Sequence, residues 1–365
     1  MKRTCIILFA LTFVISLSFF MTSCDIEDLM TMEYWNDRLS INGKENDEID
    51  CPFCDEKFPH TSHDVPYSLG LEYSLNDDGT SYTVVGRGTC TDAEIYIPEY
   101  YEGLKVTAIG DKAFSERQLY EHILKFVSIP EGVTEIGANA FDDCRYLTKV
   151  SMPDSVEEIG NWAFHFCNSL TDIKLSSGLK IIGEYAFSSC WALEHLTIPE
   201  GVTSIGDHTF DYCKSLKEMW FPESLTDMGV GLFGGCYSLE RVYIPKGITV
   251  IKEATFYECH SLKNVIMHDE ITKIEWQSFY NCRSLFYIDI PQSVTKIEYR
   301  AFIGCTELTY VFMGENVKEI GKSAFDECPN IKTVYFSDKV SDPWSGMDIE
   351  DYNTNLTSAE IKYYK

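Results

Sequence analysis

The chain has 365 residues, 45% of them hydrophobic, and carries 57 acidic against 30 basic side chains for a formal charge of −27. That apolar share excludes disorder along the whole length. The negative field repels phosphate backbones, so no nucleic-acid partner is expected, while cationic ligands, basic proteins and divalent cations stay open.

The first element, residues 1–23, reads as an address. Lys2 and Arg3 precede an apolar run from Cys5 to Phe20, closed by Met21-Thr22-Ser23-Cys24. A membrane-spanning helix needs roughly 20 apolar residues, so this run suits a secretory signal better than an anchor. Small residues before a cysteine resemble a lipobox, in which the Cys24 thiol is acylated and becomes the new N-terminus. Met21 stands where Leu is commoner; an ordinary cleaved signal and a retained helix are the alternatives. Expected location is the bacterial envelope, lipid-anchored, at the cell surface or outer membrane. The membrane is then contacted through the lipid alone.

Residues 24–66 follow as an acidic tether, with 12 acidic and 3 basic residues between Asp25 and Pro66. Inside it, Cys51-Pro52-Phe53-Cys54 precedes His60 and His63. Two thiolates and two imidazoles suit tetrahedral zinc, the one metal this chain suggests. The loop between the pairs has five residues, against about twelve in finger domains. Zinc, a local disulfide and no special role all stay open; no other cofactor is expected. A thioredoxin-like role fails because no βαβ unit surrounds the motif.

Residues 67–112 predict an N-terminal cap and a degenerate first repeat. Asn76-Asp77-Asp78-Gly79 is a turn between two strand-like runs, and Ile95-Tyr96-Ile97-Pro98 opens the repeat. That unit reaches Phe114 but holds Arg117 in place of a cysteine, with about four residues inserted between Arg117 and His122.

Residues 113–337 repeat with one period. Cys144, Cys167, Cys190, Cys213, Cys236, Cys259, Cys282, Cys305 and Cys328 are spaced by 23. A phenylalanine stands three residues before each, from Phe141 to Phe325, and an apolar residue three after, from Leu147 to Ile331. One unit reads Leu193-x-x-Leu196-x-Ile198-Pro199-x-x-Val202-x-x-Ile205-Gly206-x-x-Thr209-Phe210-x-x-Cys213. Leu196-x-Ile198 alternates like a half-buried strand that Pro199 ends, because proline lacks the ladder N–H. Val202-x-x-Ile205 predicts a second extended segment, and Phe-x-x-Cys at most a helical turn. One unit cannot bury its apolar face, so units must stack with parallel strands in register. Ten phenylalanine-bearing units at about 4.8 Å per strand give a stack of roughly 48 Å. Residues 338–365, with Trp344 and the acidic Asp348 to Asp351 patch, close it as a C-terminal cap.

This pattern resembles the BspA-like, or Treponema-type, leucine-rich repeat family of bacterial surface proteins, through its Ile-Gly-x-x-Ala-Phe-x-x-Cys-x-x-Leu core. The resemblance runs from near Glu94 to Phe336. It implies a mostly β solenoid, a right-handed stack of short parallel strands joined by turns or short helical turns and capped at both ends. It also implies a secreted or surface protein acting in adhesion or protein binding, with no catalytic residues to transfer. Lys252, Glu275 and Glu298 depart from the Gly, and Ser176, His268 and Gly314 from the Pro.

The cysteine ladder reads as buried thiols. Parallel Cβ atoms about 4.8 Å apart sit too far apart for the ~3.5–4.5 Å of a disulfide, and nine is odd. Gly229-Val230-Gly231-Leu232-Phe233-Gly234 matches G-x-G-x-x-G only because Gly229 and Phe233 fill the repeat's own columns. Ser74 to Gly79 faintly echoes a calcium loop but lacks its first Asp and closing Glu, and reads as a hairpin. No nucleophile, P-loop or metalloprotease motif is present, so the chain is expected not to be an enzyme.

What remains is surface. Residues flanking the inward strand residue point outward by the period of two. In the first repeats they are small or charged, as at Lys149, Ser151, Asp172, Lys174, His195 and Thr197. They then become Trp220, Tyr243, Ile266, Tyr287, Tyr310, Phe312 and Tyr335. Such a stripe predicts a surface for a protein or glycan ligand. Stacking of strand aromatics on one another is the competing explanation. A structural, self-associating envelope scaffold is the second functional reading.

Overall fold

The computed structural model describes residues 67–117 and 123–364. Cys24, Cys51, Cys54, His60 and His63 lie outside them. The expected solenoid is present. Each repeat contributes two short strands and a turn, and like residues of successive repeats pair in parallel. The first sheet is built from strands such as Lys149–Ser151 and Arg241–Tyr243, where Val150 pairs with Ile173 and Val242 with Val265. The second is built from Glu135–Ile136 and its successors, where Ile136 pairs with Ile159 and Ile274 with Ile297. In both, the middle or second residue is buried and its neighbours face out.

The Phe-x-x-Cys segment is a tight turn and not a helical one. The residue before each cysteine has left-handed backbone, with φ of 54–63° at Asp143, Phe166, Ser189, Tyr212, Glu258, Asn281 and Glu327. A right-handed helical turn cannot contain that conformation. Among the described residues the only helix is Thr354–Thr357, in the C-terminal cap.

The core is a set of columns. Rings from Phe114 to Phe325 are buried and stack face to face, successive centroids 4.8–6.0 Å apart. All nine repeat cysteines are free and buried. Each Sγ–H donates to the carbonyl of the preceding repeat's phenylalanine at 3.1–3.3 Å, from Cys144 on Phe114 to Cys328 on Phe302. The thiol therefore fills space as a small apolar group and also satisfies a buried carbonyl. Burial pushes these thiols well above the usual cysteine range, so they hold little reactive thiolate. Thiol counting is expected to find the ladder unreactive in native protein and fully reactive after unfolding without reductant. Few thiols in the unfolded, unreduced chain would mean that the ladder is disulfide-bonded.

The ends differ from the middle. Glu72–Leu75 and Ser81–Gly86 form an antiparallel hairpin around Asn76 to Gly79, and Ser81–Gly86 pairs with Leu104–Ile109 to start the second sheet. At the other end Glu360–Tyr364 pairs with Thr333–Ser337, and Trp344 lies edge-on to Phe336 at 5.1 Å. Buried Asn353 replaces the missing next repeat. Its Oδ1 accepts from the Phe325 N–H at 3.0 Å, where Phe302 is served by the Ala324 carbonyl, and its Nδ2 donates to the Gly321 and Glu350 carbonyls.

The sheets are interrupted at three places among the described residues. A Cβ added at Gly229 would collide with the backbone of Gly206. Lys252, the first residue to fill that column, coincides with the break of the second sheet between Met228 and Val250. In the first sheet, Glu194–Ile198 forms no ladder, although its sequence predicts a strand. Leu196 and its successor Met219 lack the branched Cβ that Val127, Val150, Ile173, Val242, Val265 and Ile288 bring to this column. Branched residues favour the pleated strand. Yet Met219 pairs with Val242, and the ladder also breaks between the branched Val265 and Ile288, so branching alone does not set the pairing.

Candidate functional site

The outward face of the first sheet carries the stripe expected from the alternation. Register places Trp220, Tyr243 and Ile266 in one column. Tyr287 and Tyr310 occupy the neighbouring column, and Phe312 and Tyr335 return to the first. Asp289 interrupts the first column between Ile266 and Phe312.

The stripe divides in two by its contacts. Trp220 (55% exposed), Ile266 (47%) and Tyr287 (38%) are exposed to solvent. Phe286, 50% exposed, joins them. Reading only the columns beside the inward residue missed it, because it lies one position outside the strand Tyr287–Asp289. Phe312 and Tyr335 instead stack on each other at 4.7 Å and 9°, and Tyr364 of the terminal strand lies edge-on to Phe312 at 6.3 Å. Tyr310 is half-buried, with Phe286 edge-on at 5.3 Å. These rings knit the last repeats to the cap. Tyr243 is intermediate. Its ring stacks on Trp220 at 6.2 Å and its hydroxyl donates to Glu223 Oε1 at 2.9 Å, a bond that holds the phenol above the usual tyrosine range.

A second aromatic ladder lies at the turn corner. Trp162, Tyr185 and His208 stack at 4.1 and 4.8 Å, and Tyr257 stacks on Tyr280 at 4.7 Å. Lys214 sits 4.0 Å from the Trp191 ring centroid. Beside His208, burial pushes the Asp211 carboxyl up to about 7. The signal for Trp162, Tyr185 and His208 was present as a column three residues after the Ile of Ile-Gly, with Tyr257 and Tyr280 in another column three positions further on, but a turn has no simple inward–outward rule by which to read it. Among the described residues no group of three or more His, Cys, Asp or Glu is arranged to hold a metal ion. No helix among them is long and apolar enough to cross a membrane.

Stacked strands in register, a buried Phe ladder and a Cys column at each turn define a leucine-rich repeat solenoid. The family model of the BspA type leucine rich repeat region matches in six copies over residues 107–240 and 226–343, more than half of the chain. The protein belongs to that family. Among solved structures it is similar to a leucine-rich cell surface protein of Faecalibacterium prausnitzii, with 26% identity, 81% of this chain and 97% of that one covered, and a TM-score of 0.46. A leucine-rich repeat protein of Bacteroides ovatus is 24% identical, with 81% and 98% covered and a TM-score of 0.36. The pneumococcal vaccine antigen PcpA is 16% identical, with 82% and 98% covered and a TM-score of 0.38. No curated protein matches the sequence.

Proposed function

We propose that the protein is a lipid-anchored bacterial cell-surface receptor that binds a protein or glycan through the exposed Trp220–Tyr287 part of the first sheet and catalyses no reaction. The observation that carries this reading is the exposure of Trp220, Ile266, Phe286 and Tyr287 on one sheet face. Rigid apolar side chains on a fixed scaffold bind at low entropic cost, and aromatic anchors of this kind dominate recognition energies. Family membership supports a repeat protein built around a surface. The absence of any paired acid, base or nucleophile motif in the sequence supports a binding role over catalysis.

Half-burial of Phe312, Tyr335 and Tyr364 favours a structural role for the C-terminal end of the stripe, so the stacking explanation is assigned to those residues alone. Binding is tested against an immobilised panel of purified proteins and glycans, comparing the wild type with the variant developed in the Discussion.

Anchoring rests on Lys2, Arg3, the short apolar run and the Thr22-Ser23-Cys24 ending. Labelled fatty acid is expected to enter the wild type, and Cys24→Ala is expected to abolish the label and release the protein from membranes. Equal labelling of the variant would rule out acylation at Cys24.

A further inference from the structure

The interruption of the first sheet at Glu194–Ile198 opens a crevice of about 440 Å³ between two adjacent repeats. That size falls within the range of small-ligand sites. Its floor is apolar, made by Ile173, Leu175, Leu196 and Pro199. Its rim is polar, made by the exposed side chains of Lys174, Ser177, His195 and Thr197.

The backbone at the crevice lacks its ladder. In the first sheet the N–H in this column donates to the next repeat in some units, as Ile129 does to the Ser151 carbonyl at 2.9 Å and Ile290 to the Phe312 carbonyl at 2.8 Å, and not at Met152, Leu175, Ile198, Phe221 or Met267. The corresponding bond from Leu175 to the Thr197 carbonyl is not formed. Unpaired backbone donors and acceptors beside an apolar floor call for a ligand that has both hydroxyls and an apolar face.

Charge narrows the choice. Most lysines on the outer strands are paired with carboxylates, such as Lys149 with Asp172 at 2.9 Å and Lys217 with Glu194 at 2.6 Å. These pairs occupy Asp172 and Glu194; of the other nearby carboxylates, Glu200 follows Pro199, and Asp154 accepts from the Ser177 N–H at 3.0 Å and is held below the usual carboxylate range chiefly by that bond, with Lys174 contributing. Lys174 has no ion pair among the described residues, and His195 stands in the adjacent repeat.

We propose that this crevice binds a pyranose carrying a carboxylate. The carbon-bound hydrogens of the ring lie on the apolar floor. Hydroxyls engage Ser177, Thr197 and the free backbone groups, and the carboxylate pairs with Lys174. In a chain of charge −27, one unpaired ammonium at an apolar crevice is a local exception that selects an anion against the general field. The inference stands apart from the receptor reading, because it uses the gap between repeats and needs neither Ile266 nor Tyr287.

The test is calorimetric or NMR titration of the full chain with glucuronate, glucose and acetate. Glucuronate is expected to bind with a dissociation constant on the order of millimolar, with glucose and acetate each about ten-fold weaker or more. Lys174→Gln, an exposed change that leaves the core untouched, brings glucuronate down to the level of glucose. Thr197→Trp, checked by circular dichroism for retained fold, fills the crevice and removes both sugars. Ile266→Ala with Tyr287→Ala leaves glucuronate binding unchanged, which separates this site from the macromolecular surface. Equal binding of glucuronate and glucose would overturn the charged contact, and acetate equal to glucuronate would overturn the sugar. No binding of glucuronate, or binding indifferent to Lys174→Gln, overturns the site itself.

Discussion

Phe233→Ala is expected to lower the unfolding free energy by about 3–5 kcal/mol, among the largest effects of any single truncation in this chain. The ring is fully buried and lies between Phe210 at 5.8 Å and Phe256 at 5.7 Å, with Phe221 tilted against it at 5.9 Å. Truncation leaves a void that the surroundings cannot close. The backbone at this position is held on both sides: the Phe233 N–H donates to the Thr255 carbonyl at 2.9 Å, and its carbonyl accepts the Cys259 thiol at 3.1 Å. A solenoid transmits stability only between neighbouring repeats, so a weak middle unit also uncouples the two halves. Urea unfolding of the variant is expected to show an earlier and broader transition than the wild type. The matched control is Phe286→Ala, which removes a half-exposed ring and is expected to stay within about 0.5 kcal/mol of wild type. A Phe233 variant that unfolds within 1 kcal/mol of wild type would show that the ladder relaxes, contrary to ~4 kcal/mol for a rigid cavity.

The second large effect is on recognition. Replacing Trp220, Ile266 and Tyr287 together by alanine is expected to weaken binding of the surface ligand by about 100-fold or more, since one central aromatic anchor contributes ~2 kcal/mol or more. Folding stability changes little, because all three are exposed. The control pair Phe312→Ala and Tyr335→Ala should behave in the opposite sense. Those rings stack on each other beside the terminal strand, so their loss lowers the unfolding temperature and leaves the ligand bound. A triple variant that binds its partner normally would move the recognition surface elsewhere. The turn-corner ladder of Trp162, Tyr185 and His208 is the next aromatic surface to test.

The difference between this triplet and the control pair was not legible in the sequence. Alternation shows that Trp220 and Phe312 both point outward, because side chains on a strand change face at every residue. Exposure depends on what the chain does after Phe336. There the terminal strand Glu360–Tyr364 returns beside Thr333–Ser337 and brings Tyr364 against Phe312. A contact between residues separated by 52 positions leaves no trace in a local period.

The period itself carried most of the architecture. Cys144 to Cys328 and Phe141 to Phe325 at constant spacing dictate parallel stacking in register, since only that arrangement lets every repeat bury the same residues. The geometry of a thiol ladder argues against disulfides from the sequence alone, because parallel Cβ atoms keep the strand spacing. Three features required the tertiary structure. The thiols are donors to Phe carbonyls as well as filler, which depends on where the preceding turn aims its backbone. The turns are left-handed at the residue before each cysteine, a conformation adopted by Phe166 and Tyr212 as readily as by Asn281, so residue type did not announce it. The unit that reads most regularly, Leu193 to Cys213, is the one whose first strand opens. Its pattern of apolar and polar residues is intact, and pattern determines which side chains turn inward. Whether neighbouring strands approach closely enough to bond depends on how adjacent repeats stack on each other, since unbranched Met219 pairs with Val242 while the branched Val265 and Ile288 do not pair.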